Sequence, residues 1–157
     1  MRRLLEKLLR MEGYEVALAG SGEQALAELL RAGADTVLLD MRMPGMSGLE
    51  VCRQIRSHPR SLHTPVVFIT AVNDRELRRK GMEAGADDFL SKPFDEVELL
   101  ARIRNCVRVK RYYDNIEQQK ERLEVAVQER TAALNDAIAR LTQSQLDLRN
   151  SQEETIY

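Results

Sequence analysis

All 8 glycines and all 4 prolines of this chain lie before Phe94. From there to Tyr157 nothing breaks a helix, and Glu, Gln, Arg, Leu and Ala dominate. The two halves therefore fold differently. The first is punctuated often enough for short strands and helices, and the second is predicted as one long helix.

The punctuated half alternates helical and strand patterns. Residues 2–11 are amphipathic, with Leu4, Leu5, Leu8, Leu9 and Met11 near helical spacing and Gly13 as a stop. Tyr14 to Ala19 alternates enough for a strand. Ser21 is the expected N-cap of the next helix, with Gln24 completing a capping box and Gly33 ending the helix. Thr36-Val37-Leu38-Leu39 reads as a short strand buried on both faces, as in a parallel sheet. It stops at Asp40, and Pro44, Gly45 and Gly48 turn the chain into a helix from about Leu49 to Arg56 that buries Val51, Cys52 and Ile55.

Pro65-Val66-Val67-Phe68-Ile69-Thr70 is a second buried-strand pattern, and Phe89-Leu90-Ser91, followed by Lys92-Pro93, is a third. Between them Asp74 caps a helix that runs to about Ala84 and ends at Gly85. Asp95 with Glu98 starts the last helix. Helices alternating with buried strands imply right-handed parallel crossovers. In open α/β sheets the chemistry sits at the C-terminal strand ends, and Asp40, Thr70 and Lys92 all fall there. Taken singly, each has a plainer reading: a turn former, a strand-end hydroxyl and an exposed edge residue.

Charge and composition narrow the function. The formal net charge is −1, so no global field points to nucleic acid or membrane, and neither is expected as a direct partner. Cys52 and Cys106 form no metal or disulfide pattern and suit a reducing, cytoplasmic setting. His58 and His63 sit in a polar loop without metal-ligand spacing and read as surface residues. A small enzyme acting on a diffusible substrate is disfavoured, because the candidate site has no His or Cys base and no glycine-rich phosphate loop.

Leu38-Leu39-Asp40-Met41 with Met43-Pro44-Gly45-Met46-Ser47-Gly48, then Phe68-Ile69-Thr70-Ala71, then Gly85-Ala86-Asp87-Asp88-Phe89 with Lys92-Pro93-Phe94, resemble the receiver domain of two-component response regulators. The resemblance covers residues 1–108, which leaves 109–157 as a coiled-coil signalling helix. It implies a flavodoxin-like, doubly wound parallel sheet of order 2-1-3-4-5. It makes Asp40 the phosphorylation site, served by a sensor histidine kinase or phosphotransfer protein. Thr70 and Lys92 would hold phosphoryl oxygens, Phe89 would swing inward on phosphorylation, and Pro93 would follow a cis bond.

The family begins with a strand ending in an acidic pair. Here the chain opens inside the helix that follows, so the first strand is missing and a truncated sequence is expected. A stand-in strand or pairing between chains are the alternatives. In the family Mg²⁺ is held by that pair, the acceptor Asp and a backbone carbonyl. Only Asp40 and the Arg42 carbonyl remain here, and Mg²⁺ is expected to bind weakly or not at all.

In the second half Tyr113, Ile116, Lys120, Leu123 and Val127 alternate in steps of three and four. A second register follows through Thr131, Leu134, Ile138, Leu141, Gln145 and Leu148. This is a heptad seam with a stutter at Val127, suited to a parallel homodimer. The alternative is one amphipathic helix folded onto its own domain, but about 60 residues of helix would extend about 90 Å. Glu129-Arg130-Thr131 resembles signalling-helix linkers, and Ser151 to Tyr157 resembles the lead-in to an HD-GYP phosphodiesterase. A diguanylate cyclase or histidine kinase output is the other expectation, and none of that catalytic machinery is present in these residues. Two functions result: a phospho-accepting switch that drives an output domain, with cyclic di-GMP turnover the favoured output, or a constitutive dimerisation scaffold whose receiver takes no phosphate.

Overall fold

The computed structural model describes residues 1–71 and 74–154. Its elements are α1 (Arg2–Met11), α2 (Gly22–Ala32), β1 (Val37–Asp40), α3 (Gly48–Ser57), β2 (Val66–Ala71), α4 (Arg75–Glu83), β3 (Asp88–Lys92) and α5 (Glu96–Glu154). The strands form one parallel sheet in the order β1-β2-β3, with Leu39 beside Phe68 and Phe68 beside Phe89. α3 and α4 are the two crossovers.

The sheet is wound on both faces. Strand side chains alternate, so β2 sends Val67 and Ile69 to one face and Val66 and Phe68 to the other. The first face packs against Leu5 and Leu9 of α1 and Leu99, Leu100 and Ile103 of α5. The second packs against Leu29 of α2 and Val51, Cys52 and Ile55 of α3. The arrangement is the flavodoxin-like α/β layering expected from the strand and helix patterns, and the long helix follows it.

Local signals set most boundaries. Ser47 begins α3 with a complete capping box. Its hydroxyl accepts the Glu50 N–H, and the Glu50 carboxylate accepts the Ser47 N–H at 2.8 Å. Ser-Gly-Leu-Glu carries the capping-box signature, which starts the helix at Gly48, one residue before the expected Leu49. The Asp74 carboxylate accepts the Leu77 N–H, and Asp95 accepts the Glu98 N–H. At α2 the box is shifted by one residue. Ser21 accepts the Gln24 N–H as expected, but the Gln24 amide oxygen takes the Gly20 N–H at 2.7 Å, not that of Ser21.

Two strand expectations change. Tyr14 to Ala19 forms no strand. A strand needs a ladder partner, and among the described residues none lies along it. The Val16 and Ala19 carbonyls instead accept hydrogen bonds from the Arg10 and Arg2 guanidinium groups, at 2.9 and 2.8 Å. For the same reason β1 is an edge strand. Only Leu39 is fully buried, whereas Val37 and Leu38 are half-buried, so the strand is not covered on both faces as its apolar run had implied. β2, paired on both sides, is the buried one.

The chain divides into two compact units, Met1–Tyr113 and the residues from Asp114 onward. The second is helix as far as Glu154, and residues 115–153 are exposed throughout. Of the predicted output lead-in, Thr155, Ile156 and Tyr157 lie outside the described residues. No described helix is long and apolar enough to cross a membrane. His63 is exposed and stacks on Tyr113, with ring centroids 4.8 Å apart, and the half-buried His58 accepts the Arg60 N–H at Nδ1.

Candidate functional site

The parallel register puts three side chains at neighbouring strand ends. Asp40 is level with Ile69, Thr70 with Ser91, and Ala71 with Lys92. Asp40 and Lys92 meet across the end of β2: the lysine Nζ lies 3.2 Å from the Asp40 Oδ2. Both side chains are about a third exposed, so water screens the pair and a diffusing reactant can reach it. The other oxygen, Oδ1, accepts the Arg42 N–H at 3.0 Å. The Lys92–Pro93 peptide bond is cis.

The loop after β1 folds back closely on the Asp40 and Met41 backbone. The Gly48 N–H donates to the Met41 carbonyl, and a Cβ at Gly48 would stand 2.3 Å from the Asp40 carbonyl oxygen. The position admits no side chain, because backbone fills the space.

Thr70 is buried, and its hydroxyl donates to the Ala71 carbonyl at a long 3.4 Å. That bond is weak enough to exchange. Phe89 lies inward, 7% exposed, against Phe68 with centroids 6.0 Å apart. Gly81 makes room for the ring, since a Cβ there would come within 2.8 Å of it. The Arg78 guanidinium sits 5.4 Å over the ring's centre.

The family resemblance gives Arg42 a role only through its backbone carbonyl. Its side chain also takes part: Nη2 lies 3.0 Å from Oδ2 of Asp74, the residue that caps α4. The two residues are 32 positions apart, and no local pattern links them.

The fit to a divalent cation is incomplete. Among the described residues, no group of three His, Cys, Asp or Glu side chains is placed to hold a metal ion. Asp40 brings one carboxylate, whose two oxygens already have partners. A magnesium ion seeks octahedral oxygen ligands, and these side chains alone do not make such a site.

Comparison with known proteins agrees with this geometry. The family model described as response regulator receiver domain matches residues 1–104. The response regulator PleD of Caulobacter vibrioides is 48% identical over 118 residues, covering 75% of this chain and 26% of PleD. The sensory transduction protein RegX3 of Mycolicibacterium smegmatis is 48% identical over 101 residues, 64% of this chain and 43% of that protein. The chain thus spans less than half the length of these relatives. Among solved structures, the receiver domain of the sensor histidine kinase PA1611 from Pseudomonas aeruginosa aligns with a TM-score of 0.63 and 31% identity, over 68% of this chain and 87% of that one. That structure has a magnesium ion coordinated in its active-site cleft. A parallel sheet wound on both faces, an aspartate and a lysine joined at its C-terminal edge and a family match across residues 1–104 lead to one assignment: the chain belongs to the response regulator receiver domain family.

Proposed function

We propose that this chain is a phospho-accepting switch, in which Asp40 takes a phosphoryl group from a sensor histidine kinase or a phosphotransfer protein. The observation that carries the reading is the 3.2 Å contact between Lys92 Nζ and the Asp40 carboxylate at the C-terminal edge of the sheet. One Asp40 oxygen attacks phosphorus in line. The bond from phosphorus to the donor's histidine nitrogen breaks as the new P–O bond forms, and the leaving imidazole takes a proton from water. Lys92 then neutralises a phosphoryl oxygen, and the Thr70 hydroxyl leaves its long bond to Ala71 to donate to another. Phe89 is the switch residue of this reading, and its ring lies inward in this structure before any transfer.

For Mg²⁺ this chain offers the Asp40 carboxylate and the Arg42 backbone carbonyl, and binding is weak in this reading. The receiver occupies 1–108, and 109–157 is a cytoplasmic signalling helix that pairs in parallel with a second copy. Its exposed stripe, including Leu134, Ile138, Leu141 and Leu148, supports that pairing. The output it serves is cyclic di-GMP turnover, a reading that rests on the resemblance of Ser151 to Tyr157 to an HD-GYP lead-in. The chain's own role is regulatory: its one chemical step is on itself.

A specific observation favours a second reading. The incomplete set of metal-ligating side chains suits a constitutive dimerisation scaffold whose receiver is not phosphorylated. Intact-mass spectrometry after incubation with acetyl phosphate and Mg²⁺ separates the two. Slow gain of one phosphoryl mass, abolished by Asp40→Asn, supports the switch. No gain in the unmodified chain supports the scaffold.

A further inference from the structure

We propose that Arg42 and Asp74 form a charge latch between the acceptor carboxylate and α4, and that a phosphoryl group on Asp40 opens it by drawing the Arg42 guanidinium to itself. The inference rests on the phospho-acceptor reading and gives the Arg42 side chain a phosphoryl-binding role that its backbone carbonyl does not supply.

A continuous set of contacts carries the idea. The Arg42 N–H donates to Asp40 Oδ1 at 3.0 Å, so this residue's main chain is tied to the acceptor. Its guanidinium Nη2 reaches Asp74 Oδ2, also at 3.0 Å. The other Asp74 oxygen, Oδ1, accepts the Leu77 N–H at 3.0 Å and so starts α4. Asp74 divides its two oxygens between one helix cap and one cation. Further along α4, Arg78 lies over the Phe89 ring and Gly81 abuts it. The acceptor is thus linked through one ion pair to the helix that packs on the buried aromatic.

The pair is built to exchange. The Arg42 side chain is 79% exposed and that of Asp74 27%, so solvent screens their attraction and the pair holds the loop only lightly. A phosphoryl group at Asp40 brings close to two negative charges and three acceptor oxygens. A guanidinium fork matches such oxygens in pairs, whereas here a single nitrogen meets a single carboxylate oxygen. Arg42 therefore gains by changing partner. Asp74 keeps its cap on α4 but loses its tie to the loop after β1, and the start of α4 is released. No covalent bond changes in this step beyond the transfer to Asp40 itself.

The two ends of the latch predict opposite effects. Arg42→Gln removes the cation that meets the phosphoryl group and should slow labelling of Asp40 by acetyl phosphate several-fold. Arg42→Lys keeps the charge and should recover part of the rate. Asp74→Asn retains an N-cap oxygen but frees the guanidinium, so labelling should quicken several-fold. Added salt should bring the unmodified chain toward the Asp74→Asn rate. Rates are read by intact mass with Asp40→Asn as the blank, and urea midpoints establish that the variants are folded. Equal rates in the folded chains, or changes of the same sign for Arg42→Gln and Asp74→Asn, overturn the latch and leave the phospho-acceptor reading standing. Failure of every chain to label at Asp40 overturns that reading and the latch with it.

Discussion

The unit up to Tyr113 and the helix beyond it use the same apolar residue types to different ends. In the first, Leu5, Leu9, Leu99 and Ile103 meet Val67 and Ile69 of the sheet and leave water. In the second, Leu134, Ile138, Leu141 and Leu148 are 53–67% exposed. The first unit is held by contacts between distant parts of the chain. The second is held by its own hydrogen-bonded backbone, by good helix formers and by exposed pairs such as Arg149 with Glu153, each worth only tenths of a kcal/mol, or about 0.3–0.5. An apolar stripe left in water costs roughly 25 cal/mol per Å². One unit completes its core within a single chain, and the other leaves its apolar stripe exposed in the single chain.

The largest expected effects test that division. Phe68 is fully buried between β1 and β3, and Phe68→Ala should cost about 3–5 kcal/mol, read as a lower urea midpoint for the first unit. Leu134→Lys with Leu141→Lys should leave that midpoint in place, and on the proposed pairing light scattering should read a dimer for the unmodified chain and a monomer for the variant. If the two lysines lowered the midpoint as much as Phe68→Ala, the two units would be one cooperative structure and the contrast would be lost.

A smaller effect sharpens the link between fold and site. Gly48→Ala puts a methyl group against the Asp40 carbonyl and the Met41 Cα, and the loop after β1 must shift. The expected cost is about 1–3 kcal/mol, together with slower labelling of Asp40. Unchanged stability and labelling would show that the loop yields freely.

The smallest concerns the α3 cap. Ser47→Ala should cost about 1 kcal/mol. The Ser47 N–H and hydroxyl hold the Glu50 carboxyl below its usual value of 4.5. Its folded value being depressed, the contribution of this group is fully present above the unfolded value and is lost as the pH falls through the folded one. The stability difference between the unmodified chain and Ser47→Ala should therefore shrink as the pH drops below about 4.5, measured as urea midpoints across that range. The exposed helix beyond Tyr113, which has no such box, should not respond to Ser47→Ala at all, and a change in its ellipticity would blur the comparison.

Much of this molecule was determined by short-range sequence signals. The apolar runs ending at Asp40, Thr70 and Lys92 located the strand ends that the register brings side by side. Asp74, Ser21 and Asp95 marked helix starts, and the lack of any breaker after Phe94 marked the 59-residue helix. Such signals work because caps, turns and helical faces involve residues three or four apart. What only the tertiary structure decided involves partners far along the chain. Tyr14 to Ala19 has the alternation of a strand, yet without a ladder neighbour its Val16 and Ala19 carbonyls turn to arginines of α1. β1 has the composition of a central strand, but its position at the sheet edge leaves it half-covered. The tie between Arg42 and Asp74 spans 32 residues, and the room for Phe89 comes from Gly81 on another element. An ion pair or a ring's packing site exists only once the sheet has set which elements are neighbours, and that arrangement is a property of the whole first unit, beyond the reach of any single stretch of sequence.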